Sequence, residues 1–127
     1  MSPAAAIALS GLTAASLKVE TSAANLVGAQ EASPVGASGG FQALGVVETP
    51  SPTGGVVATA VTLKSGPLVA FDPASAAANA AGLVLTPEID PIAEIAGLIA
   101  GSQAFAFSLE ALKVADENEK ALLDLKA

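Results

Sequence analysis

The strongest constraint on the fold lies in the last third of the chain, where residues 90–125 carry the apolar pattern of one long helix. Asp90 can cap the first turn with its side-chain oxygen, and Pro91 suits the first helical position because its missing N–H is not needed there. Apolar or small side chains then recur every three or four residues, which places them in one stripe along an α-helix. The stripe consists of Ile95, Leu98, Ser102, Phe105, Leu109 and Leu112. At about 1.5 Å per residue the helix would be a rod of roughly 54 Å, and its apolar stripe needs a partner.

A second stripe with the same spacing lies near the start of the chain, in residues 3–27. It consists of Leu9, Leu12, Ser16, Val19, Ala23 and Leu26, and Gly28 follows as a residue suited to end a helix. The sequence therefore predicts a mainly α fold in which long N- and C-terminal helices pair as a coiled coil around a small β-rich insert. Many stripe positions are Ala or Ser, which bury little apolar surface, so the pair is expected to need packing against other copies or other chains.

The middle of the chain is rich in Gly, Pro, Ser and Thr. Residues 29–40 have the composition of a flexible connection, and short strands are predicted at 41–48, 56–63, 68–71 and 82–85. The predicted organisation is an N-terminal helix in residues 1–28, a connection and β-rich insert in 29–87, and a C-terminal helix in 88–127.

Composition excludes several classes of function. The chain has five Lys, no Arg and twelve acidic residues, for a formal net charge of −7, so it lacks the clustered cations of a nucleic-acid interface. It also has no Cys and no His, and its Gly36–Gly40 stretch is not followed by the Lys-Ser/Thr pair of a phosphate-binding loop. The acidic groups Glu88, Asp90 and Glu94 come without signs of a pocket that would shift their pKa values. We therefore predict no enzyme activity, no catalytic or metal-binding residues, no cofactor and no small-molecule ligand.

The longest apolar run, residues 95–109, contains Gln103 and falls short of the about 20 residues that a membrane-spanning helix needs. The first seventeen residues carry no charge, whereas a secretory signal has a positive charge before its apolar run. The sequence thus predicts a chain that does not span a membrane and has no cleaved signal peptide.

Several short motifs in this chain recur together in one known family. They are Phe71-Asp72-Pro73, Gly82-Leu83-Val84, Pro87, Asp90, Glu94, Phe105, Glu110 and Leu112, and near the start Leu12, Val19 and Asn25-Leu26. In order and spacing the chain resembles the bacterial flagellar basal-body rod proteins, most nearly the proximal rod proteins of the FlgC type, over about two thirds of its length.

The resemblance implies a structural role in the flagellum. Proteins of this family are axial subunits of the periplasmic rod, a drive shaft that transmits torque, and they leave the cell unfolded through the flagellar type III export apparatus. The implied partners are copies of the chain itself, other rod proteins and, during secretion, the export apparatus. The terminal helices are expected to form the inner layer of the polymer.

Two features of the predicted C-terminal helix can be interpreted in more than one way. Gly97 and Gly101 are four residues apart, which permits close approach of another helix but could also reflect a chain rich in Gly and Ala. Phe105 and Phe107 point to different sides, about 200° apart, so Phe107 is expected to contact either another subunit, which we favour, or the chain's own insert. The acidic residues 116, 117 and 119 are interpreted as a solvated face.

Asn25 could bond to another helix or cap its own helix, and capping is the favoured interpretation. The predicted interface comprises Leu9, Leu12, Val19, Asn25, Leu26, Ile95, Gly97, Leu98, Gly101, Phe105, Phe107, Leu109 and Leu112. The alternative from a different functional class is a soluble helical-hairpin binding module that captures another protein without polymerising.

Overall fold

A computed structural model describes residues 1–126 and contains two long helices at the ends of the chain. Helix α1 is Pro3–Gly28 and helix α2 is Pro91–Lys126. The side chain of Ser2 caps α1, since its Oγ accepts a hydrogen bond from the Ala5 N–H at 3.2 Å. Oδ1 of Asp90 accepts from the N–H of Ile92 at 2.9 Å, as predicted for the start of α2. The predicted ranges of both helices are confirmed.

Five short strands lie between the helices and form two antiparallel sheets. They are β1 (Ser33–Pro34), β2 (Leu44–Pro50), β3 (Val56–Thr62), β4 (Leu68–Phe71) and β5 (Leu83–Thr86). Strands β2 and β3 form a hairpin, and the other three form a sheet in the order β1-β5-β4. The positions of β3 and β4 agree with the predictions, whereas β2 begins three residues later than the predicted strand at 41–48. β1 lies in the segment that was predicted to be only a flexible connection.

The prediction of a mainly α, coiled-coil fold is wrong. The helices account for about 49% of the chain and the strands for about 19%, so the molecule combines two helices with a substantial antiparallel β insert. The physical reason is that α1 packs against the hairpin β2–β3 as well as against α2, so the two helices do not form a coiled coil by themselves. α1 is thus buried on one side by α2 and on another by strands.

Polar contacts and a close approach at the turn fasten the hairpin to α1. The Lys18 ammonium lies 2.9 Å from the Glu48 carboxylate, and the N–H of Val56 donates to Oγ of Ser10 at 3.2 Å. At the hairpin turn, Gly54 and Gly55 adopt positive φ angles of 91° and 83°, a region that favours glycine. A side chain at Gly55 would also collide with Ser10, so this turn both requires glycine and lies close to α1.

The buried core is small and made almost entirely of alanine. The buried apolar residues are Ala5, Ala8, Ala14, Ala15, Ala43, Val84 and Ala115, of which only Val84 is larger than Ala. An alanine removes far less apolar surface from water than a Leu or Phe does, and burial stabilises by about 25 cal/mol per Å². The isolated chain therefore gains little stability from its own core.

Candidate functional site

Helices α1 and α2 run antiparallel and meet through small side chains. A Cβ atom added to Gly97 would lie 2.7 Å from Oγ of Ser22, and one added to Gly101 would lie 2.9 Å from Cγ2 of Val19. Further along, a Cβ atom at Gly11 would lie 3.0 Å from Oγ of Ser108. These distances leave no room for larger residues, so the two backbones approach closely along this face. The predicted close approach at Gly97 and Gly101 is present, and the approaching helix is α1 of the same chain.

The predicted apolar seam is not the face on which the helices meet. The contact face includes Ala8, Gly11, Ala15, Ser22 and Asn25 of α1 and Glu94, Gly97, Gly101, Ala104 and Ser108 of α2. Each of these positions precedes a predicted seam position by one residue, and one residue turns a helix by about 100°. The sequence stripe was identified by its large side chains, whereas close packing of two backbones selects the small ones.

As a result, many of the predicted interface residues face outward. Leu9, Ile95, Phe105, Phe107 and Leu109 are exposed, and Leu12, Val19, Leu26, Leu98 and Leu112 are half-buried. Phe107 is 74% exposed. Of the predicted set, Asn25, Gly97 and Gly101 belong to the centre of the helix contact, and Val19 contacts Gly101 there.

Asn25 joins α1, α2 and the hairpin. Its side chain is 1% exposed, and its Nδ2 donates to the backbone oxygen of Leu44 at 2.8 Å and to Oε1 of Glu94 at 2.9 Å. Its Oδ1 accepts from the N–H of Leu44 at 2.8 Å. The favoured interpretation of Asn25 as a helix cap is therefore wrong, because its amide bonds to two other elements. Glu94 and the hairpin contacts of Lys18 and Ser10 were not predicted, since no hydrophobic pattern marks them.

The far end of α2 carries exposed ion pairs. Lys113 lies 3.5 Å from Glu110, and Lys120 lies 2.6 Å from Asp116. The hydrogen bond and the charge of the Asp116 carboxylate raise the pKa of Lys120. Exposed pairs of this kind contribute little stability, which agrees with the interpretation of this region as a solvated face. Glu119 differs, because it is half-buried and accepts a hydrogen bond from the Ser2 N–H at 3.1 Å.

The accessible surface of the molecule is larger than that of a compact protein of the same mass. Its accessible surface is 8107 Å², whereas a compact monomer of 12.2 kDa exposes about 6,100 Å², which leaves an excess of about 2,000 Å². A standard protein–protein interface buries about 800 Å² on each partner. The excess is therefore large enough for contacts with more than one neighbour.

Much of this surface belongs to α2, which is apolar on the side away from α1 as well. Ile92, Ile99 and Phe107 are exposed on that outer side, and no charged residue occurs between positions 95 and 109. By length and composition α2 could cross a membrane, with an 18-residue window of mean hydropathy 1.5 that is only 6% buried. This test averages the occasional polar residues of α2, whereas the sequence prediction counted an uninterrupted apolar run, so the absence of a membrane-spanning segment stays a prediction.

Three open grooves lie on the described surface. A groove of about 600 Å³ lies between Ala5 and the Leu109–Leu123 part of α2, and a smaller one of about 270 Å³ borders the Gly36–Gly40 loop and β5. A third, of about 540 Å³, lies between α2 and β2. Among residues 1–126, acidic side chains form no group that could hold a metal ion.

Comparisons with known proteins give no family assignment. No family model matches the chain, and no curated protein matches it. The resemblance to flagellar rod proteins thus depends on the short motifs quoted in the sequence analysis.

Proposed function

We propose that the chain is a structural subunit of the bacterial flagellar basal-body rod and assembles with copies of itself and with other rod proteins. In this proposal it lies in the periplasmic part of the flagellum and forms part of the drive shaft that transmits torque. The motifs at both ends of the chain support this role, because their order and spacing resemble those of the rod family. The absence of clustered cations and of metal-binding groups among the described residues gives no support to a nucleic-acid or metal-dependent role.

The observation that carries the proposal is the combination of a thin alanine core with an excess of exposed surface that includes many large apolar side chains. The buried apolar residues other than Val84 are alanines, while the exposed surface exceeds that of a compact monomer by about a third. A chain built in this way gains stability when neighbouring subunits cover its outer surface. This arrangement is expected of an assembly subunit and is unfavourable for a protein that acts alone.

The outer side of α2 is the surface best suited to such neighbours. Ile92, Ile99 and Phe107 are exposed, and no charged residue occurs between positions 95 and 109. A chain of net charge −7 repels its copies, so contact is least unfavourable where acidic groups are absent. Force can then pass between subunits through packed apolar side chains, while the close contact of α1 with α2 keeps each subunit stiff.

A marginally stable monomer also suits the proposed export through the flagellar type III apparatus. A chain that must unfold or remain unfolded during export benefits from a small core, because little burial has to be undone. Subunit contacts then supply the missing stability after export.

The proposal is tested first in solution. Multi-angle light scattering over a concentration series should show large assemblies for the wild-type chain and a shift toward monomer for a Phe107→Ser, Ile99→Ser double variant. Asn118→Ala, exposed in the charged end of α2, serves as the control and should assemble like wild type. A chain that stays monomeric at all concentrations, yet captures one partner protein, would instead support the soluble binding module.

A test in the encoding bacterium addresses the flagellar role itself. Deletion of the gene should abolish swimming, and the wild-type gene, but not the double variant, should restore it. The protein should also sediment with purified basal bodies. Normal motility in the deletion strain would refute the flagellar assignment, whatever the chain does in solution.

A further inference from the structure

A half-buried carboxylate in the groove between α2 and β2 has no cation beside it. Glu94 is half-buried, and its Oε1 accepts a hydrogen bond from Nδ2 of Asn25 at 2.9 Å. Within residues 1–126 its second oxygen, Oε2, accepts no hydrogen bond and the carboxylate forms no ion pair. A carboxylate held partly away from water is unfavourable without a cation or further donors, so Glu94 is a group that a ligand could satisfy.

Lys18 borders the same groove, but its charge is already neutralised. Its ammonium lies 2.9 Å from the carboxylate of Glu48. Among the residues that line the groove, Lys18 and Glu94 are the charged ones. The charge left over is therefore that of Glu94, in a chain whose net charge is −7, and the groove favours a cation.

Two buried hydroxyl groups in the same groove also have no partner. Thr21 is 6% exposed and Ser22 is 9% exposed, and both line the groove. Neither hydroxyl forms a hydrogen bond within residues 1–126. Every fully enclosed side-chain oxygen of the described chain has a partner, so these two oxygens keep a small accessible area in the groove. Because a buried hydroxyl without a hydrogen bond is unfavourable, both are groups that a bound donor would satisfy.

Helical spacing brings the hydroxyls and the carboxylate together. Thr21 and Ser22 precede Asn25 by four and three residues, so all three lie on one face of α1. Asn25 bonds to Glu94 across the helix contact. Gly97 lies one turn beyond Glu94, and a Cβ atom added to it would be 2.7 Å from Oγ of Ser22. The carboxylate and the two hydroxyls therefore border the same end of the groove.

The backbone of β2 adds a further acceptor. The N–H of Leu63 donates to the oxygen of Ala43 at 2.8 Å, and hydrogen-bonded positions alternate along an antiparallel pair, so the odd-numbered residues of β2 bond to β3. The even position Leu44 is taken by the side-chain amide of Asn25. The next even residue, Val46, lines the groove, and its C=O has no partner within residues 1–126.

The opposite wall of the groove suits the stem of a long side chain. This wall belongs to α2 and consists of small residues, namely Gly97, Ala100, Gly101 and Ala104. The groove has a volume of about 540 Å³. A methylene stem can pack on such a surface while its charged head reaches the carboxylate at the end.

We propose that this groove binds the side chain of an arginine from a different protein, with its guanidinium against the carboxylate of Glu94. The remaining N–H groups donate to the hydroxyl oxygens of Thr21 and Ser22 and to the carbonyl of Val46. The chain itself contains no Arg, so the arginine does not come from a second copy. The proposal rests on the proposed assembly function, because the arginine belongs to a neighbouring subunit of different sequence.

A guanidinium suits this groove better than the ammonium of a lysine. It carries five N–H donors in one plane, whereas an ammonium is a compact charge with three. The acceptors in the groove come from α1, α2 and β2, and a planar group with several donors can satisfy more of them at once. A guanidinium is also more weakly hydrated, so its transfer to a half-buried position costs less.

Binding of a short arginine peptide to the full chain tests the proposal. The probe is acetyl-Gly-Arg-Gly-amide, and the matched probes carry citrulline, which has the shape of arginine without its charge, or lysine in the same position. Saturation-transfer NMR measures the dissociation constants, since it detects a bound probe whatever the size of the assembly. The citrulline probe should bind roughly tenfold more weakly than the arginine probe because it lacks the charge-assisted hydrogen bonds. The lysine probe should bind roughly threefold more weakly.

Glu94→Gln is the central variant, because its amide oxygen can still accept the hydrogen bond from Asn25 while the charge is removed. The arginine probe should bind this variant roughly tenfold more weakly than wild type. Glu117→Gln removes the same charge from an exposed position on α2 and should bind the probe like wild type. Equal weakening in both variants would show that net charge alone attracts the probe, and would overturn the site.

Thr21→Val keeps the shape of the side chain and removes one hydroxyl. The arginine probe should bind it roughly threefold more weakly, while the melting temperature should not fall, because the hydroxyl makes no bond within the chain. A lower melting temperature with unchanged binding would show that this hydroxyl serves the fold, and would overturn its role in the groove.

The same titrations separate this proposal from the proposed function. If the arginine probe does not bind, or binds no better than the citrulline or lysine probe, the arginine site is wrong and the assembly function still stands. If light scattering shows a monomer at all concentrations while the probe binds at Glu94, the assembly function is wrong and the arginine site stands.

Discussion

The side chain of Asn25 offers the sharpest test of how α1, α2 and the hairpin β2–β3 are held together. Asn25→Ala removes two hydrogen bonds to the backbone of Leu44 and one to Glu94. At a net value of about 1 kcal/mol for each bond, the free energy of unfolding should fall by about 3 kcal/mol. Domains of this kind have total stabilities of about 5–15 kcal/mol, and an alanine core places this chain toward the lower end. The melting temperature should therefore fall by about 10 °C.

Asn25→Asp adds a dependence on pH to the same test. The new carboxyl group would face the Leu44 carbonyl and the Glu94 carboxylate in a buried position, so both burial and like charge raise its pKa in the folded state above the unfolded value of about 3.9. The protonated form is thus the one that folding favours. The variant should be less stable than Asn25→Ala at neutral pH and should recover as the pH falls through the raised folded-state pKa.

Urea denaturation followed by circular dichroism measures both variants, with Asn118→Ala as the matched control. Asn118 is exposed on α2, so its removal should change stability by less than about 0.5 kcal/mol. If Asn25→Ala unfolds at the same urea concentration as Asn118→Ala, the hydrogen bonds of Asn25 do not hold α1, α2 and the hairpin together. A profile for Asn25→Asp that parallels wild type at every pH would likewise contradict the account of its surroundings.

Three further predictions follow from the helix contact and its surroundings. Gly101→Leu should lower the free energy of unfolding by about 1–3 kcal/mol, because the new side chain meets Val19 and the backbone oxygen of Ala15. Gln103→Leu, on the outer side of α2, should leave the free energy of unfolding nearly unchanged. Thermal melts of the two variants measure the difference. A double-mutant cycle on Lys18 and Glu48 should give a coupling of about 0.5 kcal/mol, since both groups are partly exposed, and a value near 3 kcal/mol would contradict this. Phe107→Ser alone should leave the melting temperature of the dilute chain within about 2 °C of wild type, and a large loss would show that Phe107 belongs to the chain's own fold.

The helix ends could be predicted from sequence because local chemistry determines them. Asp90 and Pro91 mark the start of α2 by capping and by a fixed backbone angle. Gly28 is the last residue of α1 but does not adopt the positive φ of a glycine cap, and a Cβ atom there would lie 2.3 Å from the ring of Phe41. The strand at Val56–Thr62 was predictable for a similar reason, as its β-branched residues favour extended structure. In contrast, β1 has only two residues and exists because β5 pairs with it, which no local signal reveals.

The facing sides of the helices could not be predicted from the large apolar residues. Hydrophobic periodicity gave the right spacing but the wrong face, since Gly97 and Gly101 pack against α1 while Ile95 and Phe105 remain exposed. The spacing of small residues one position earlier carried the correct information. The role of Asn25 was hidden for another reason, because its partners at Leu44 and Glu94 come together only in the folded chain.

The pairing of α1 with α2 also determines when the molecule can mature. Asn25 and Glu94 are 69 positions apart, so their bond forms only after the chain has been synthesised beyond Glu94. The first helix can pack on the hairpin earlier, but the side of α1 that contacts α2 stays exposed to water until α2 has left the ribosome. Nascent chains that lack α2 are therefore expected to be more sensitive to proteases than chains that contain it.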